Sequence, residues 1–110
     1  MGLTKSEIFT DTQNQIATLA KAFAHPARVA ILQQIFKTNT CICGDLVDEI
    51  GLAQATISQH LRELKNIGLI KGNIEGTSVC YCLDEQNWNN MTSIISNFIE
   101  QNNNNSNDCC

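Results

Sequence analysis

"QATISQHLRELKNIGLIKGNIEGTSVCYCL", residues Gln54 to Leu83, contains a change of period that decides the fold. In its first half Ile57, Leu61 and Leu64 recur at helical spacing, while Thr56, Ser58, Gln59, Arg62 and Lys65 fall on the outer face. Gly68 ends that helix. Alternation then takes over. Ile70 to Ile74 and Thr77 to Leu83 are rich in β-branched and aromatic residues, with Glu75-Gly76 at the reversal, which predicts a β-hairpin. Val79, Tyr81 and Leu83 share one face of it, and Ser78, Cys80 and Cys82 the other.

Upstream, Leu46, Val47 and Ile50 form a short helix stopped by Gly51, and Gly51-Leu52-Ala53 is a tight turn. Two helices, a turn and a hairpin make a winged helix-turn-helix. Nearer the N-terminus, Thr10 and Gln13 form a capping box ahead of Ile16, Leu19, Ala20 and Phe23 at amphipathic spacing. Pro26, preceded by His25, suits the first turn of the next helix. There Val29, Leu32 and Phe36 mark one stripe, and Arg28, Ile31 and Ile35 another, as expected of a central helix. After the hairpin, Asp84 to about Gln101 is helical, with Trp88, Met91, Ile95 and Phe98 or Ile99 in one stripe and Ile94 beside it. The fold expected is mainly α with a small β-hairpin, in the order α-α-α-α-β-β-α. Residues 1–101 form one domain, and 102–110 a disordered Asn-rich tail ending in Cys109-Cys110.

At 110 residues the chain suits one small domain with a modest core. No apolar run approaches the length needed to span a bilayer, and no secretory pattern opens the chain, so a cytoplasmic protein is expected. Met1-Gly2 with Ser6 fits the loose myristoylation pattern, a short motif given little weight. The net charge of −4 argues against nucleic acid at first sight, yet Gln54 to Ser78 holds three basic residues against two acidic ones. Gln54, Gln59 and Arg62 have the hydrogen-bonding groups that read base edges in a major groove. Thr56 and Ser58 allow close approach, and Lys65 and Lys71 suit phosphates. The alternative of a merely solvated polar face does not account for the wing that follows it. His60 is read as a partly buried structural histidine rather than a ligand.

Six cysteines fall in three close pairs, Cys41/Cys43, Cys80/Cys82 and Cys109/Cys110. In a reducing compartment they favour metal or redox chemistry over structural disulfides. Cys80 and Cys82, on the hairpin, are read as small buried hydrophobes. An enzyme is not expected. Neither a Cys-x-x-Cys pair, nor a cysteine in a phosphate-like loop, nor a His/Asp constellation is present.

"LAKAFAHPARVAIL" (Leu19–Leu32), "DLVDEIGLAQATISQHLRELKNIGLI" (Asp45–Ile70) and "EGTSVCYCL" (Glu75–Leu83) resemble the ArsR/SmtB family of bacterial metal-sensing repressors, over about residues 14 to 100. The resemblance implies a homodimer built on the first and last helices, through Ile16, Leu19, Trp88, Met91, Ile95 and Phe98. It implies binding to double-stranded operator DNA and release when an inducer binds. In arsenic-responsive members a Cys-x-Cys pair lies at the start of the first helix of the motif, nearly where Cys41-Ile42-Cys43 stands. Those sensors read Cys-x-Cys-Asp-Leu, whereas this chain has Gly44 interposed. If the helix begins at Gly44, both thiols lie on an extended lead-in and point the same way; if it begins earlier, they diverge. The inducer expected is arsenite, antimonite or another soft metal ion, since thiolates prefer thiophilic centres and the last helix has no histidine for zinc. Trivalent arsenic wants a third sulfur, with Cys109 or Cys110 as possible third ligand and Cys80 or Cys82 competing. A thiol-redox-responsive repressor on the same scaffold is the alternative.

Overall fold

A computed structural model describes residues 8–38, 41–43, 50–73 and 80–104. Helix α1 (Asp11–Ala22) opens with the capping box. Gln13 N–H donates to Thr10 Oγ1 (3.1 Å) and Thr10 N–H donates to the Gln13 side chain (3.0 Å). Helix α2 (Pro26–Lys37) carries Pro26 in its first turn, where a missing N–H costs nothing. His25 caps it, Nδ1 accepting from Ala27 N–H at 3.0 Å. Helix α3 (Gln54–Ile67) ends at Gly68, whose φ of 100° is left-handed. There Gly68 N–H donates to the carbonyls of Leu64 and Lys65, and Leu69 N–H to that of Leu64, which closes the helix end.

The hairpin strands are β2 (Ile70–Asn73) and β3 (Cys80–Leu83), followed by helix α4 (Glu85–Glu100), capped by Asp84. Among the described residues the expected order agrees with the structure except in two places. Ile42–Cys43 is a strand, here β1, which pairs antiparallel with β3, so the sheet has three strands in the order β1-β3-β2. The Cys-x-Cys segment is therefore extended. Gln101–Asn104 form one 3₁₀ turn that prolongs α4, so regular structure passes the expected start of the tail at 102. The short helix expected at Leu46 to Ile50 lies outside the described residues except for Ile50, as do the hairpin reversal and residues 105–110 with Cys109 and Cys110.

One core joins every layer: Leu19 and Ala22 of α1; Ile31, Leu32 and Ile35 of α2; Ile57, Leu61 and Leu64 of α3; and Ile42, Leu69, Ile70 and Tyr81 around the sheet. Trp88, Met91 and Ile95 of α4 pack on its edge, half-buried. Trp88 makes edge-on ring contacts with Phe23 (6.2 Å) and Phe36 (5.1 Å). Burying each large apolar side chain contributes about 1.5–3 kcal/mol. Gly72 lets β2 approach β3: its φ is 126°, and a Cβ there would lie 2.7 Å from Tyr81 Cα.

Candidate DNA-binding face and thiol site

Helix α3 turns Ile57, Leu61 and Leu64 into the core, and this fixes what it shows outward. Gln54, Thr56, Gln59, Arg62 and Lys65 are exposed, as the helical spacing predicts. Ser58 is not. It is only 9% exposed, and its hydroxyl accepts a hydrogen bond from Gln54 Nε2 at 3.0 Å, so it organises the first turn rather than offering a free reading group. Lys65 is partly committed too: Nζ donates to Gly72 O at 2.7 Å, tying the helix to the wing. Lys71 is exposed on β2 and borders the thiols described below.

Arg28, read from its spacing as part of an apolar stripe of α2, has a different task. Nε donates to His60 Nδ1 (3.2 Å) and Nη1 to Lys21 O (2.9 Å). His60 is buried, its ring 4.4 Å from that of His25. Burial, then the His25 and Arg28 charges, push the His60 pKa down. The structural reading of His60 agrees with this setting. Arg28 and His60 also line a 230 Å³ recess with Ala55, Thr56 and Gln59, beside the exposed face of α3. The charge of Arg28 was the available sign of this role, outweighed by its helical phase.

Leu19, expected at a dimer interface, is 1% exposed and belongs wholly to the core, so it has no surface to offer a second subunit. Ile16 is half-buried, and Trp88, Met91 and Ile95 pack on their own core. Phe98 and Ile99 of α4 stay exposed, as do Ile8 and Phe9 ahead of α1.

Cys41 is exposed at the entrance to β1, and Cys82 is half-buried on β3; both are free. The two thiols are hydrogen-bonded to each other, and this bond, with burial, pushes the Cys82 pKa up. Cys82 is thus not the buried filler expected. Cys80 is disulfide-bonded, which differs from the reduced state expected. Cys43 stands in register opposite Cys80. Among the described residues, no three His, Cys, Asp or Glu side chains gather closely enough to hold a metal ion.

A helix with a polar exposed face, backed by α2 and followed by an antiparallel wing, defines a winged helix-turn-helix. Residues 25–71 match the profile of the family described as "Bacterial regulatory protein, arsR family". The chain is 38% identical to the HTH-type transcriptional regulator NmtR of Mycobacterium tuberculosis, over 63% of its length and 57% of that protein's. It is 34% identical to a cadmium resistance transcriptional regulatory protein CadC homolog of Staphylococcus aureus, over 74% of its length and 68% of that protein's. HlyU from Vibrio cholerae shares the fold at a TM-score of 0.58 and 29% identity, over 68% of this chain and 80% of that one. The chain belongs to the ArsR/SmtB family of helix-turn-helix regulators. No described helix is long and apolar enough to cross a membrane.

Proposed function

We propose that this protein is a homodimeric repressor that binds double-stranded operator DNA through α3 and the wing. It leaves the operator when a thiophilic metalloid or metal, trivalent arsenic or antimony foremost, reaches its cysteines. The proposed ligands are Cys41 and Cys43, with Cys109 or Cys110 as candidates for a third sulfur. The observation that carries the reading is the position of Cys41. It enters β1, a strand bonded to β3 of the wing and leading toward the helix-turn-helix. Thiolate donors suit a soft ion, and Cys41 is a free, exposed thiol. The name of the cadmium-resistance relative supports a metal-linked role.

Gln54, Thr56, Gln59 and Arg62 are the proposed base and backbone contacts, with Lys65 and Lys71 toward phosphates. Ligation at Cys41 would bias β1 and, through the ladder, the wing. DNA and inducer then oppose each other by the same factor. Fluorescence anisotropy with DNA from the protein's own promoter region, titrated with arsenite, tests this. The Cys41→Ser/Cys43→Ser variant is expected to need at least about tenfold more arsenite for release. Release at the wild-type concentration would overturn the assignment.

The disulfide at Cys80 favours one second reading, a redox-responsive repressor. Two thiols and one hydrogen peroxide would give a disulfide and two waters. Release by peroxide but not arsenite, reversed by dithiothreitol, would support it instead.

A further inference from the structure

The register of β1 against β3 sets Ile42 opposite Tyr81 and Cys43 opposite Cys80; one step further out it sets Cys41 opposite Cys82. Strand positions alternate between faces. Positions 41, 43, 80 and 82 therefore share the face of the sheet opposite Ile42 and Tyr81, which are both in the core. The outer row of that face consists of two free thiols already in hydrogen-bond contact. It opens on a cavity of 720 Å³, bordered by Phe36, Lys71, Asp84 and Glu85. Core filling does not account for this row, because the apolar positions of these strands lie on the other face. A structural crosslink does not account for it either, since no covalent bond joins the two sulfurs.

We propose that Cys41 and Cys82 form a two-thiol site for trivalent arsenic, chelated between β1 and the wing strand β3. The inference rests on the inducer reading above, keeps Cys41 and puts Cys82 of the wing in the place of Cys43 and the terminal sulfurs. Directly opposed positions of an antiparallel pair bring their Cβ atoms to about 4.5–5.5 Å. Sulfurs within hydrogen-bond reach of each other need little backbone movement to share one arsenic atom. An aryl arsenical carrying two hydroxyls reacts with two thiols to give a dithioarsenite and two waters. Two As–O and two S–H bonds break, two As–S bonds form, each hydroxyl leaves with a thiol proton, and arsenic stays trivalent. The product is a covalent strap between the strand that leads toward α3 and the strand that carries the wing. It would add to the strand ladders, the Lys65–Gly72 bond and the core packing of Ile70 and Tyr81 that already hold the wing.

Phenylarsine oxide, which takes two sulfurs, is the probe. The full chain carrying Cys109→Ser and Cys110→Ser is treated with it in the absence of reductant and examined by intact-mass measurement. Peptide mapping of the thiols protected from iodoacetamide follows. One arsenical per chain is expected, with Cys41 and Cys82 as the protected pair. Adding Cys82→Ser or Cys41→Ser is expected to abolish retention. Absence of binding in the tail variant, or undiminished binding after Cys82→Ser, would overturn the site. Should Cys82→Ser fail to fold by circular dichroism, the protection map decides, and protection of any other pair overturns it. An arsenical held by Cys41 and Cys82 with operator affinity unchanged would keep this site and overturn the inducer reading.

Discussion

His60 is where α3 is pinned to α2, and its protonation is coupled to the fold. Its Nδ1 accepts from Arg28, so the neutral ring with its proton on Nε2 suits the site. Burial, then the charges of His25 and Arg28, lower its pKa from the ordinary 6.5. Below that value the unfolded chain binds the proton more readily than the folded one. Stability is therefore complete above it and lost as pH falls from the ordinary value toward the lowered one. Thermal melts are expected to be level from about pH 8 to about pH 6.5 and to fall below it. His60→Gln should flatten that fall, and an unchanged profile would remove His60 as its cause. Gly72 is the second residue whose identity is forced. Gly72→Ala combines a left-handed backbone with a Cβ pressed against Tyr81. It is expected to cost at least about 2 kcal/mol in urea denaturation, within the range of backbone strain and overpacking.

At the scale of elements, the helices were legible because their ends are written locally. Thr10 with Gln13, His25 with Pro26, and Gly68 each satisfy groups that a helix terminus leaves open. The strand β1 was not legible. Its two residues are too few to show a period, and its partner Tyr81 lies far along the chain from Ile42. The meeting of Cys82 with Cys41 was not legible for the same reason: alternation gave the face of Cys82 on the hairpin but not the strand beside it. Arg28 and Ser58 misled differently. Each has the helical phase of one environment, while its hydrogen bonds place it in another. The caps also permit a test at this scale. Thr10→Ala removes a side-chain acceptor and leaves an open N–H in α1, which is expected to cost about 1 kcal/mol. Chemical denaturation measures it, and an unchanged midpoint would mean that the α1 cap adds nothing to the fold.

For the whole molecule, the question is which apolar side chains serve the core and which serve a second copy. The stripe of α4 divides at this point. Trp88, Met91 and Ile95 are half-buried against their own domain, whereas Phe98 and Ile99 are 52% and 65% exposed. If the proposed dimer forms on α1 and α4, the outer pair should carry assembly with little cost to the monomer's fold. Trp88 should carry folding. Trp88→Ala removes the ring that meets Phe23 and Phe36 and is expected to cost about 3 kcal/mol. Phe98→Ser with Ile99→Ser is expected to shift sedimentation from dimer to monomer at micromolar concentration while leaving the circular dichroism spectrum intact. Operator affinity should fall with it, because a monomer engages one half-site instead of two spaced by about one helical turn. A variant that remains dimeric would place the interface elsewhere than on the exposed end of α4. A variant that is monomeric yet binds operator as tightly as wild type would show that one α3 suffices for recognition.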